Sequence, residues 1–160
     1  MAKLKLMILG KDDDVLRAHC RPVDQITDRI IRLLDDMTET MRANNGCGLA
    51  ANQVGVLRRV VVIEVEEGNV IELINPKIVA MAGEQHESEG CLSLPGRWGI
   101  TTRPKSVTVR ALNRKGEEFE ITGQDLLARA FCHELDHLDG KMFSDNAEMI
   151  DPGKESRGGN

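Results

Sequence analysis

Two histidines, His133 and His137, stand four positions apart, and Glu134 directly follows the first. On an α-helix four residues advance about 400°, which leaves the two imidazoles about 40° apart around the axis and about 6 Å apart along it. Both can reach one metal ion. Glu134 lies about 100° round from His133 and about 60° from His137, at the margin of that face, where a carboxylate can touch water held on the ion without ligating. That is the placement of a general base. The bland alternative is an ordinary helix that happens to match HExxH. Against it, Leu127, Phe131, Leu135 and Leu138 form an apolar stripe, with Leu126 and Ala130 on the histidine side. Such a helix is apolar over most of its surface and belongs in the core. Buried histidines and a buried glutamate need partners, and a metal supplies them.

The third ligand must come from elsewhere. The pattern HExxHxxGxxH is matched through Gly140, but its last position is Phe143. A glutamate on a later helix would have to be Glu148 or Glu155, and Glu155 falls in a polar, Gly-rich tail. The search therefore moves upstream to Cys91, in "SEGCLSLPG", a stretch bounded by Gly and Pro that is expected to be a loop presenting a thiolate. Cysteine with two histidines is an accepted catalytic set that leaves a fourth position open. In that role a Lewis-acidic metal brings the pKa of water from about 15.7 to about 7, which is hydrolytic chemistry.

These residues need a frame. "DQITDRIIRLLDDMTETMRANNG" places Ile26, Ile30, Leu33, Leu34, Met37 and Met41 at helical spacing, with Asp24 or Thr27 as the start signal and "NNG" as the stop. "RRVVVIEV" is a short β-branched run and predicts a strand that returns as a hairpin through "VIELI". After Asn-Pro, "KIVAMAG" is a weaker strand candidate, whereas "SVTVRAL" and "EEFEIT" flank "NRKG" as a second hairpin. The last helix is expected from Gln124 or Asp125 to Gly140, a C-terminal cap. The sum is an α+β domain: antiparallel strands packed around a central C-terminal helix carrying HExxH, with a long N-terminal helix. Residues 1–150 are expected to form a single domain, and 151–160 a disordered tail.

With the elements in place, "GCGLAANQ" (46–53), "EGCLS" (89–93) and "HELDH" (133–137) resemble, in order and spacing, the three motifs of the peptide deformylases. The likeness runs from "VLRAHCRPV" to about Phe143. It implies hydrolysis of N-formyl-methionine at the start of nascent bacterial polypeptides, with release of formate. By this resemblance Cys91, His133 and His137 bind one divalent metal, Fe2+ in the cell, with Zn2+ or Ni2+ expected in a purified sample. Glu134 takes the proton of water and passes it to the leaving amine. The Gln53 side-chain amide and the Leu92 backbone N–H face the developing oxyanion. Gly48, Cys47 and Glu89 are the substrate-side candidates. Gly48 would let a peptide approach closely, and Cys47 is either a small buried filler, like Cys132, or a wall of the methionine pocket. Glu89 is a surface acid or the partner of a cation that fixes the Cys91 segment, with Arg103 as that cation.

The rest of the composition narrows the partners. The net charge of −5 repels nucleic acid, and with three Phe, one Trp and no Tyr there is no base-stacking platform. No apolar run approaches the roughly 18 residues of a membrane span, and the start lacks the pattern of a signal peptide. The expectation is a cytoplasmic monomer that meets nascent peptides and, transiently, the ribosome. In that compartment Cys20, Cys47, Cys91 and Cys132 are thiols or ligands rather than disulfides. Two rivals remain. An HExxH metallopeptidase would tolerate loss of Cys91, and a non-catalytic Cys/His redox module would not need Glu134 or Gln53.

Overall fold

The computed structural model describes residues 2–150, so the expected tail at 151–160 lies outside the described residues. Strand β2, Val60–Ile63, shows how the frame is built. All four of its residues are buried, because its two faces meet different partners. Val61 and Ile63 belong to one apolar cluster with Phe131, Leu135 and Leu138 of helix α3, Leu126–Leu138. Val60 and Val62 belong to a second cluster with Leu34, Met37 and Met41 of helix α2, Asp28–Ala43. A sheet covered by a helix on each face requires a continuous apolar run in place of alternation, and "VVVI" is that run.

The sheet has five strands in the order β1-β2-β3-β6-β7, all antiparallel. The others are β1 (Gly48–Ala50), β3 (Ile71–Ala82), β6 (Ser106–Leu112) and β7 (Glu118–Gln124). A second sheet, β4-β5-β8, comprises β4 (Gln85–Cys91), β5 (Leu94–Arg103) and the two-residue β8 (Glu148–Met149). Helix α3 packs against both sheets. The fold is α+β, with antiparallel sheets and a C-terminal helix.

Several expectations are corrected. The first helix along the chain is a single turn, α1 (Asp13–Leu16), ahead of the sixteen-residue α2. "VIELI" and "KIVAMAG" are one strand. The Asn75–Pro76 step is absorbed as a register shift between Ile74 and Lys77, with Asn75 at a positive φ of 53°. Asn75 can hold that conformation because its side chain binds both the N–H and the carbonyl of Val23, at 2.8 and 2.9 Å. Leu126, assigned to the histidine side of α3, is 40% exposed.

The C-terminal end of α3 is tied down on all sides. The Arg59 guanidinium donates to the carbonyl oxygens of Leu138 (3.1 Å) and Cys20 (3.2 Å) and to Asp139 (3.0 Å). Gly140 follows at φ 77°, so close to the Arg17 carbonyl that a side chain there would collide with it. These contacts fix the axial position of the helix, and with it the histidines.

Candidate active site

His133 and His137 project from the same side of α3, their Nε2 atoms 3.2 Å apart. The Cys91 sulfur lies 3.3 Å from His137 Nε2, and the three donor atoms all fall within 4.8 Å of one another. Cys91 is not in a loop. It is the last residue of β4, and Leu92 and Ser93 form the tight turn into β5, which pairs Cys91 with Leu94. The turn returns the Ser93 N–H to the Cys91 sulfur at 3.4 Å, and the Gln53 amide reaches the same sulfur at 3.5 Å.

The orientation of His133 is set from behind. Its Nδ1 meets Glu89 Oε1 at 2.8 Å, which turns Nε2 toward the cysteine. Glu89 is buried rather than on the surface, and both its oxygens are engaged: Oε2 accepts from Thr101 Oγ1 (2.6 Å) and Arg103 Nε (2.9 Å), and Oε1 from Arg103 Nη2 (3.0 Å). Arg103 is thus the cation expected beside Glu89, and it also binds Asp136 at 2.8 Å. Placed among these partners, Glu89 supports His133 from behind, whereas the sequence had suggested contact with substrate. Burial pulls the Glu89 pKa upward, but the hydrogen bonds from His133 and Arg103 outweigh it and hold the carboxyl well below its ordinary range. Burial likewise lowers the His133 pKa, and its bonds to Cys91 and Glu89 reverse this, leaving it well above that of an ordinary histidine. His137, buried beside His133 and within the field of Arg103, is held well below.

Glu134 occupies a different environment from Glu89. Burial is the largest influence and pushes its pKa up to about 7, the range in which a carboxyl both takes and returns protons near neutrality. Its Oε1 is buried and has no hydrogen-bond partner among the described residues. Its other oxygen packs on Gly48: a Cβ added there would stand 2.5 Å from Oε2. The room left by the missing side chain of Gly48 is therefore used by this carboxylate.

Gln53 sits on the 3-10 turn Ala51–Val54 that follows β1, and it is buried. Its Oε1 accepts from Ala50 N–H (2.9 Å) and its Nε2 donates to Ser93 Oγ (3.1 Å), so the amide is aimed at the Cys91 turn. Cys47 is exposed, which excludes the buried-filler alternative, while Cys132 is buried as expected and Cys20 is fully so. Phe143, where a different peptidase pattern would carry histidine, stacks on the His133 ring at a centroid distance of 5.9 Å. Three contributors had no role assigned from the sequence: Thr101 and, inside the quoted motifs, Ser93 and Asn52, whose amide binds the His137 carbonyl at 2.6 Å.

The donor set passes a simple test of fit. A sulfur and two imidazole nitrogens converge from two separate elements, one imidazole is oriented by a carboxylate on its far nitrogen, and a buried carboxylate oxygen stands unpartnered on the adjoining residue. This is what a four-coordinate ion with one open position requires.

Comparison with known proteins gives the same frame. The family model for polypeptide deformylase matches residues 5–152. The peptide deformylase of Thermoanaerobacter pseudethanolicus is 58% identical over 135 residues, 84% of this chain and 84% of that protein. That of Carboxydothermus hydrogenoformans is 50% identical over 150 residues, 94% of this chain and 97% of that protein. Among solved structures, a peptide deformylase from Legionella pneumophila superposes with a TM-score of 0.87 at 42% identity, covering 96% of this chain and 89% of that one. Another, from Synechococcus elongatus in complex with actinonin, gives 0.86 at 39% identity, covering 91% and 79%. With a matching family model across nearly its whole length and relatives at this identity, the chain belongs to the polypeptide deformylase family.

Proposed function

We propose that this protein removes the formyl group from N-formyl-methionyl ends of nascent polypeptides, with Cys91, His133 and His137 holding one divalent metal ion. The observation that carries the proposal is the convergence of those three donor atoms beside a buried Glu134 oxygen that has no partner. A divalent ion bound there supplies Lewis acidity and brings the pKa of water to about 7. Glu134 accepts the proton of the attacking water through its unpartnered oxygen. As the oxygen of water bonds to the formyl carbon, negative charge moves to the carbonyl oxygen, where the Gln53 amide and the Leu92 backbone N–H donate to it. Glu134 then delivers its proton to the leaving nitrogen as the C–N bond breaks, releasing formate and a free amine. Glu89 takes no part in these transfers and acts by orienting His133.

A thiolate with two imidazoles suits Fe2+ or Zn2+, and we take Fe2+ as the native ion and Zn2+ or Ni2+ as replacements. Metal analysis after anaerobic purification tests this. The net charge of −5 favours only transient proximity to the ribosome. No helix among the described residues is long and apolar enough to cross a membrane. A cytoplasmic monomer is the assembly we propose, with residues 1–150 as one domain because both apolar clusters share one sheet. The decisive experiment is formate release from a formyl-methionyl peptide by wild type and Glu134→Gln. A folded, metal-loaded wild type that releases none overturns the activity, and full turnover by the variant overturns the role of Glu134.

A further inference from the structure

Between the first turn of α2 and the segment 55–58 the surface opens into a recess of about 480 Å³, within the range of small-molecule sites. Its floor is aliphatic, including Ile30, Leu33 and Leu57, and Arg21, Arg29 and Arg58 also line it. No acidic and no aromatic residue lines it. Arg17, Arg42, Arg59, Arg103, Arg110 and Arg114 each pair with a carboxylate. In contrast, the guanidinium groups of Arg21, Arg29 and Arg58 make no ion pair or hydrogen bond among the described residues. In a protein with 26 acidic and 21 basic residues, three guanidiniums without a carboxylate partner among the described residues line one hollow, Arg21 and Arg29 exposed and Arg58 half-buried.

The hollow is also braced. The Arg21 N–H donates to the Leu57 carbonyl (3.1 Å) and the Arg59 N–H to the Arg21 carbonyl (3.0 Å), so a backbone bridge holds Arg21 beside Arg58. Arg29 comes from a different element, the first turn of the sixteen-residue α2, where it follows Asp28. None of the proposed metal donors, nor Glu134, lines the recess, so the reaction above has no use for it.

We infer that this recess is a binding site for a small amphiphilic anion: a phosphate or carboxylate head gripped by Arg21, Arg29 and Arg58, and a short aliphatic body lying on Ile30, Leu33 and Leu57. Guanidinium forks suit such oxygens, and the aliphatic floor without aromatic rings suits an alkyl body rather than a nucleobase. The inference is independent of the proposed activity, and binding alone tests it.

The experiment follows backbone amide resonances of the zinc-loaded protein titrated with butyl phosphate, inorganic phosphate and 1-butanol. Saturable shifts centred on Arg21, Arg29, Ile30, Leu33 and Arg58 are expected, with butyl phosphate binding about tenfold more tightly than either half alone. Arg29→Gln and Arg58→Gln should each weaken binding by about tenfold. Arg32→Gln, on the same helix but outside the recess, should leave it unchanged, which separates lost contacts from a damaged fold. The site is overturned if butyl phosphate gives no saturable shift, if inorganic phosphate or butanol binds equally well, or if the two recess variants bind as wild type does.

Discussion

Glu89 and His133 lie 44 positions apart in the chain and meet through a 2.8 Å hydrogen bond between a carboxylate oxygen and Nδ1. Because the same carboxylate also accepts from Thr101 and Arg103, its position is set before any ligand arrives. The orientation of one proposed metal ligand thus depends on a residue that reaches the site only from behind.

Glu89→Gln should therefore loosen the metal; it also takes one charge from the pair with Arg103, which keeps Asp136 as its partner. Second partners of ligating histidines typically contribute about 10–100-fold in metal affinity. Competition with a chromogenic chelator measures the loss, and unchanged metal retention would remove Glu89 from the positioning role.

Arg103→Gln has a harsher consequence. It leaves Glu89 and Asp136 without their common cation, and Glu89 is buried. Removing one partner of a buried ion pair costs about 3–5 kcal/mol. Urea denaturation of the variant should show that loss as a lower midpoint at unchanged slope.

Gly48→Ala probes the other side of Glu134. The new methyl would stand 2.5 Å from Oε2, so the carboxylate must rotate away. Turnover should fall by about 10²-fold or more while metal content stays at the wild-type level. A fully active variant would show that the general base needs no fixed place against β1.

Gly140→Ala tests the tether at the end of α3. A left-handed φ costs an ordinary residue about 1–3 kcal/mol, and here the side chain also meets the Arg17 carbonyl. A lowered melting temperature is expected.

Cys20 links stability to alkaline pH. Burial raises its thiol from 9.0 to about 11. The folded state thus keeps a proton that the unfolded chain releases, so this contribution is complete below about pH 9 and is lost as pH rises through about 11. Cys20→Ala should flatten that part of the stability profile, as followed by denaturant midpoints between pH 8 and pH 11. A profile as steep as that of wild type would place the alkaline loss elsewhere.

The sequence exposed those parts of the site that depend on local periodicity. The face of α3 that carries His133 and His137 follows from a 3.6-residue repeat, and the β6–β7 hairpin from alternation around "NRKG". "SEGCLSLPG" misled because Gly and Pro signal a loop, whereas β5 is held by pairing with β4 and β8, a tertiary effect that overrides local preference. Asn75–Pro76 concealed the continuity of β3 for the same reason. Arg103 could be proposed as the partner of Glu89 because it sits at the end of the same expected loop and the pairing fits the family resemblance. Ser93 and Asn52 stand inside the quoted motifs, but their roles were not legible, since their partners lie 40 and 85 positions away and a motif does not say which distant group each polar residue meets.

The sulfur and the second imidazole of the proposed metal centre are separated by 46 positions, one on the edge of the smaller sheet and the other near the end of the final long helix. No fragment of this chain that lacks α3 can own a cation pocket: a molecule still being synthesised stays inert until His133 and His137 have emerged and α3 has docked beside Cys91. Such long-range closure is slow compared with helix formation. Maturation of the catalyst thereby waits on the arrival of its final long helix.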